Sequence, residues 1–151
     1  MGALLADLWA NKILVAAVAP WALAQIIKVP LEYLLRRRWD WGLLLSSGGM
    51  PSSHSALVTG AATAIGLQLG FDSPLFAMAG VFAMIVIYDA IGVRRQAGDH
   101  ARVLNLMIDE LLTGHPLAEK ELKEVLGHTP REVIGGIALG VGTAYLIMRV
   151  L

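Results

Sequence analysis

The chain has 151 residues, 56% hydrophobic and 16% charged, with a mean hydropathy of +0.64 and twelve Lys and Arg balancing twelve Asp and Glu. That length allows one domain, spanning 1–151. The composition excludes a disordered chain, the absence of cysteine excludes a disulfide scaffold, and the zero net charge speaks against a nucleic-acid binder. A soluble domain averages about 25% charged residues; the depletion of charge here points to a membrane protein.

In chain order, Leu4, Leu5, Leu8 and Trp9 in the first ten residues predict a small interfacial helix. The N-terminus lacks the basic region of a secretory signal peptide, so the first apolar run is expected to stay in the mature protein. A bilayer crossing takes about 20 mostly apolar residues. The first such run is Ile13 to about Leu35, interrupted by Gln25, Lys28 and Glu32. The second, Ser55 to Gly70, is rich in small residues and short unless it begins near Ser52. The third, Pro74 to Gly92, carries Asp89 as its one charge. The fourth, Val133 to Leu151, carries Gly135, Gly136, Gly140 and Gly142, and small residues at helical spacing let membrane helices approach closely. Arg94 to Gly127 mixes charges with leucines and valines and predicts two amphipathic helices broken near Thr113-Gly114-His115-Pro116. The expected fold is an all-α polytopic membrane helix bundle. It has about four transmembrane helices, with amphipathic helices between the third and fourth.

Four crossings put both termini on one face and the loops at about 36–51 and 93–130 on the other. Arg36, Arg37, Arg38, Arg94, Arg95, Arg102, Lys120, Lys123 and Arg131 fall on the loop face, against Lys12 and Arg149 on the terminal face. The positive-inside rule then makes the basic loops cytoplasmic and the termini external.

Two polar segments stand on the loop face. Gly48-Gly49-Met50-Pro51-Ser52-Ser53-His54-Ser55 precedes the second run. Glycines there free the backbone, Pro51 suits a first helical position, and hydroxyls with an imidazole at a helix N-terminus suit an anion. A plain helix cap explains one serine but leaves His54 over. Gly127-His128-Thr129-Pro130-Arg131-Glu132 opens the fourth run. Thr129 to Glu132 reads as a capping box. Glu132, four residues after His128, could instead hold its imidazole, which makes the other ring nitrogen a nucleophile or base. Arg94 and Arg95 after the third run suit phosphate oxygens, and an ionisable Asp89 at the end of a span is a functional candidate. Lys28 either snorkels to the interface or faces the site. Arg36-Arg37-Arg38 reads as a flanking run attractive to anionic lipid heads. His115 reads as a surface residue, and His100 on an amphipathic segment could be either surface or site. No spacing of His, Cys or carboxylates suggests a metal.

Pro51-Ser52-Ser53-His54 resembles the P-S-G-H motif of the type-2 phosphatidic acid phosphatase and vanadium haloperoxidase superfamily. His128-Thr129-Pro130-Arg131-Glu132-Val133-Ile134-Gly135-Gly136 resembles its last motif, H-x-P-x-D-V-x-x-G, with Glu for Asp. With Tyr88-Asp89-Ala90-Ile91-Gly92-Val93-Arg94-Arg95, these segments are similar to the small divergent bacterial and plastid branch, over about Gln25 to Gly140.

The resemblance implies a histidine nucleophile forming a phosphohistidine, His128 held by Glu132. It implies His54 as the acid for the leaving group, and phosphate binding by Ser52, by Arg94 or Arg95, and by Lys28. Gly49 and Ser53 join the phosphate-binding set through the backbone and the hydroxyl that stands where the motif has glycine. The chain also departs from the pattern. The K-x6-R-P motif is broken after Lys28, and the arginine and nucleophile normally stand six apart, a spacing that Arg94 shares with His100 and not with His128. His100 is followed four residues on by Leu104, not an acid, so His128 is the favoured nucleophile. Four helices instead of the family's usual six would leave a homodimer to supply the rest.

The expected function is hydrolysis of a phosphate monoester on a membrane lipid, with no metal, no cofactor and no nucleic-acid partner. The alternative is a non-catalytic scaffold on a degenerate phosphatase frame, binding a lipid head or an anion.

Overall fold

The computed structural model describes residues 2–37, 39–44, 48–111 and 128–151, with residues 36, 94, 95 and 109–111 as backbone only. It is all-helical, with no strand among the described residues. The elements are α1 (Gly2–Ala10), α2 (Lys12–Arg36), a 3-10 turn (Trp41–Leu44), α3 (Ser53–Leu69), α4 (Pro74–Ile91), α5 (Val93–Leu111) and α6 (Pro130–Val150).

α3 is the centre of the bundle, packed by α2, α4 and α6. Its buried residues are all small or β-branched, among them Ala56, Gly60, Ala64 and Gly66, so neighbouring backbones come close. Gly60 lies under α2, where a Cβ would stand 2.7 Å from the Ala16 carbonyl oxygen. Gly136 lies against Ser52 and Ser55, and Gly140 against Ala56 and Thr59. Rising numbers meet rising numbers, so α3 and α6 run parallel, while α2 and α4 run the other way. Both termini therefore share one end, where Lys12 Nζ donates to the Leu151 carbonyl. The starts of α3 and α6 share the opposite end.

α2 continues through Pro20 and Pro30. In a membrane helix the freed carbonyls are re-satisfied by neighbours, and Pro20 also packs its ring on Gly60. α1 buries no residue, consistent with an interfacial helix. α5 follows α4 with only Gly92 between them and supplies the first expected amphipathic helix. The second falls on 112–127, outside the described residues.

Among the described residues, three helical stretches are long and apolar enough to cross a membrane: Lys12–Leu35, Pro74–Ile108 and Pro130–Val150. The membrane helix bundle is as expected, and three of the four expected spans meet that length. The second expected span is α3, 17 residues long, and at about 1.5 Å per residue it falls short of the roughly 30 Å hydrocarbon core. Packed by α2, α4 and α6, its start lies level with the start of α6 and the end of α4, tied by the Ser52 N–H to the Glu132 carbonyl and the His128 N–H to the Ala90 carbonyl, while α2 runs two turns further.

Candidate active site

The first turn of α6 is built on one carboxylate. Thr129 caps the helix, its Oγ1 accepting from the Glu132 N–H at 3.5 Å, and Glu132 Oε2 accepts from the Thr129 N–H at 3.2 Å. The same Oε2 lies 2.9 Å from His128 Nδ1. Capping box and imidazole holder are alternatives in sequence; in space one oxygen does both. His128 is fixed further by its backbone N–H, which donates to the Ala90 carbonyl at the end of α4 at 3.1 Å.

The start of α3 is tied to this turn, for the Ser52 N–H donates to the Glu132 carbonyl at 2.9 Å. Ser52 is the N-cap, its Oγ accepting from the Ser55 N–H at 3.3 Å and the Ser55 hydroxyl at 3.0 Å. Pro51, expected at the first helical position, precedes the cap instead, in a cis peptide bond, because the Ser52 hydroxyl takes the capping role. Ser53 is turned elsewhere: its Oγ accepts from Lys28 Nζ at 3.4 Å. Lys28, 1% exposed, thus faces the helix starts and does not snorkel. Its stem passes Gly49, where the backbone has a φ of +86° and a Cβ would stand 3.7 Å from Lys28 Cδ. The His54 and His128 rings lie 6.5 Å apart between centroids, tilted by 57°.

Among the described residues, two buried side-chain polar atoms lack a hydrogen-bond partner: His128 Nε2 and Gln25 Oε1. A carboxylate only accepts, so beside Glu132 the His128 Nδ1 carries a proton, and in the neutral ring the lone pair falls on Nε2. A buried polar group without a partner costs about 1–3 kcal/mol. At 3% exposure, His128 is held with Nδ1 on Glu132 and with Nε2 turned away from every protein donor and acceptor.

The structure thus brings Lys28, Gly49, Ser52, Ser53, His54, His128 and Glu132 to one end of the bundle. Arg94 and Arg95 lie in the first turn of α5, and their side chains are outside the described part. His100 is exposed two turns along α5, and the ring contact His128 makes is with His54. Asp89 is half-buried near the end of α4, beside a shallow apolar cleft lined by Met84, Ile85, Tyr88 and Val93. No group of three or more His, Asp or Glu able to hold a metal occurs among the described residues. Sequence reasoning missed the burial of the Gln25 oxygen and the role of the Ala90 carbonyl. Gln25, Lys28 and Glu32 follow at spacings of three and four, one helical face, which was a usable signal. A backbone carbonyl leaves none.

These features define a helical integral membrane protein with a histidine-bearing polar site at one end of its bundle. The sequence matches the model of the Divergent PAP2 family over residues 9–143, and the chain belongs to that family. It is 45% identical over 157 aligned residues to "Uncharacterized membrane protein YuiD" of Bacillus subtilis (strain 168), covering 94% of this chain and 99% of that relative. No solved structure matches.

Proposed function

We propose that the protein is a lipid-phosphate phosphatase working through a phosphohistidine on His128. The observation that carries the reading is the buried, unpartnered His128 Nε2, aimed by Glu132 at Nδ1, with the His54 ring 6.5 Å away. In-line transfer needs a near-attack distance of about 3 Å on one side of phosphorus and a hydrogen bond of about 3 Å to the leaving oxygen on the other. A centroid separation of 6.5 Å is on the scale of a single phosphoryl group and supports a site that both rings contact.

In the first step Nε2 bonds to phosphorus, the ester P–O bond breaks, and His54 gives its proton to the leaving alkoxide. In the second, His54 takes a proton from water, the hydroxide adds to phosphorus, and the N–P bond breaks to release inorganic phosphate. Lys28, Ser53 and the backbone about Gly49 are the groups that would hold the equatorial oxygens, with Arg94 or Arg95 as a further clamp. Such electrostatic positioning carries most phosphoryl-transfer catalysis. The substrate's tail stays in the bilayer, and the nine basic residues of the loop face support a cytoplasmic site.

Phosphate release from phosphatidate, phosphatidylglycerophosphate and a prenyl phosphate, measured on the purified protein in detergent, tests the reading. His128→Ala and His54→Ala are each expected to abolish release without loss of helicity. Full activity in His128→Ala overturns the nucleophile assignment.

The second reading is a non-catalytic lipid-head or anion binder, favoured by the missing R-P after Lys28. Vanadate separates the two, because it adopts the trigonal-bipyramidal geometry of the transferring phosphoryl group. Tight vanadate binding with turnover supports the enzyme; phosphate binding without vanadate preference or turnover supports the binder.

A further inference from the structure

At the site end of α2 the chain turns at Arg37, whose φ is +57°, and enters the 3-10 turn. Three aromatic rings bridge helix and turn. Tyr33 stacks on Trp39 at 4.5 Å and 21°, and Trp39 on Trp41 at 5.8 Å and 14°. The ladder is not core, since Trp39 is 57% and Trp41 66% exposed. Leu34, Leu35 and Leu44 beside it are exposed as well. On the inner side of the same turn, Leu43 is half-buried, and a Cβ on Gly49 would stand 3.7 Å from its Cδ2. The turn therefore lies between the glycine beside Lys28 and the surroundings of the bundle. The sequence places Arg36, Arg37 and Arg38 between Tyr33 and Trp39.

We propose that the segment 33–44 is an interfacial anchor that docks the site end of the bundle into an anionic lipid headgroup layer. Trp and Tyr rings concentrate at the membrane–water boundary, where an apolar body meets a polar rim. A cluster of arginines beside them is attracted to acidic lipid heads. The ladder stands at the end of a membrane-crossing helix, so the bilayer surface is already at that level, and the charge matches lipid phosphates. Through Leu43 the anchor also sets the depth of Gly49 and Lys28 relative to the headgroups. None of this depends on the phosphatase reading.

The chain's four tryptophans, Trp9, Trp21, Trp39 and Trp41, allow a direct test. Single-tryptophan proteins, with the other three changed to Phe, are reconstituted into phosphatidylcholine vesicles with or without phosphatidylglycerol. Quenchers are lipids brominated at a shallow or a deep acyl position, and aqueous iodide. Trp41 is expected to lose emission to the shallow bromolipid, more so with phosphatidylglycerol present, and little to iodide, while Trp21 responds to the deep bromolipid. Changing Arg36, Arg37 and Arg38 to Gln is expected to remove the phosphatidylglycerol effect. Should a single-tryptophan chain fail to reconstitute, the difference between the unaltered protein and Trp41→Phe gives the same reading. Iodide quenching of Trp41 without a bromolipid response overturns the proposal, as does protection from both quenchers, which means a protein-covered face. Equal responses in the two vesicle types overturn its anionic part.

Discussion

Lys28 Nζ, two turns before the end of a membrane-crossing helix, donates to Ser53 Oγ at the first residue of the central helix. The ammonium is withdrawn from water, and a buried cation is a poor investment in stability. Replacing a whole buried charge network by apolar chains is often neutral or stabilising, whereas removing one member leaves its partners uncompensated. Lys28→Met takes the donor from buried Ser53 Oγ, so it is expected to lower the thermal midpoint in detergent as well as to remove vanadate binding and phosphate release. Melting curves beside a vanadate titration check both halves. A lowered midpoint with turnover intact would make Lys28 a structural residue.

Glu132 carries two duties on one oxygen, and they can be separated. Glu132→Gln keeps a side-chain oxygen for the Thr129 N–H, since Gln also serves in a capping box. It loses the charge that fixes the proton on His128 Nδ1. The expected result is near-unchanged stability with turnover down by about 10²–10⁴-fold, the range for a group acting through acid–base chemistry. Glu132→Ala also loses half of the capping box, so it is expected to melt lower by a shift equivalent to about 1 kcal/mol. Melting and rate measurements on both variants decide. Equal melting of the two would remove the cap from the argument, and equal rates to the parent would remove the imidazole.

The membrane orientation follows from a charge count and has its own test. Because the chain has no cysteine, single cysteines report without background. Asp72 lies in the exposed turn between α3 and α4, at the end away from the site, and Asp40 is exposed at the site end. A membrane-impermeant maleimide on intact cells is expected to label Asp72→Cys and to spare Asp40→Cys until the membrane is opened. The reverse pattern would put the site outside the cytoplasm.

What the sequence disclosed was mostly periodic or capped. The apolar runs became α2, α3, α4 and α6 within a few residues, because a span needs little beyond length and hydropathy. Thr129 and Glu132 gave the start of α6 through local chemistry. Lys28 could not be placed, because a snorkelling lysine and an inward one leave the same pattern; α2's packing on α3 decides it. The aromatic ladder was equally hidden, since Tyr33 belongs to α2 while Trp39 and Trp41 lie beyond the turn at Arg37, and no single period joins the three. The candidate site gathers residues from α2, the glycine segment, α3 and α6, with α4 contributing through its Ala90 carbonyl. Four-crossing topology put the two helix starts on one face in advance, and the resemblance gave their residues roles; no local spacing did either.

The glycines of α6 divide into those that hold the site together and those that do not. A Cβ at Gly136 would run into the Ser52 carbonyl and stand 3.0 Å from Ser55 Cβ; at Gly140 it would meet Thr59 Oγ1 and stand 3.1 Å from Ala56 Cα. These obstacles are mostly backbone or helix-bound atoms, so α6 must move away from α3. Overpacking of this kind costs about 1–3 kcal/mol. Gly142 and Gly80 have nothing within 4 Å of an added Cβ. There alanine is expected to be neutral or to gain from its better helix propensity, by up to about 1 kcal/mol. Gly136 lies one turn beyond Glu132, so its shift also moves His128 relative to His54. Gly136→Ala is therefore expected to lower both the melting midpoint and turnover. Gly140→Ala, a turn further away, should lower the midpoint more than the rate, and Gly142→Ala and Gly80→Ala neither. Thermal melts and initial rates on the four variants check the ranking. If Gly136→Ala behaved like Gly142→Ala, the close approach of α3 and α6 would not be what positions the two histidines.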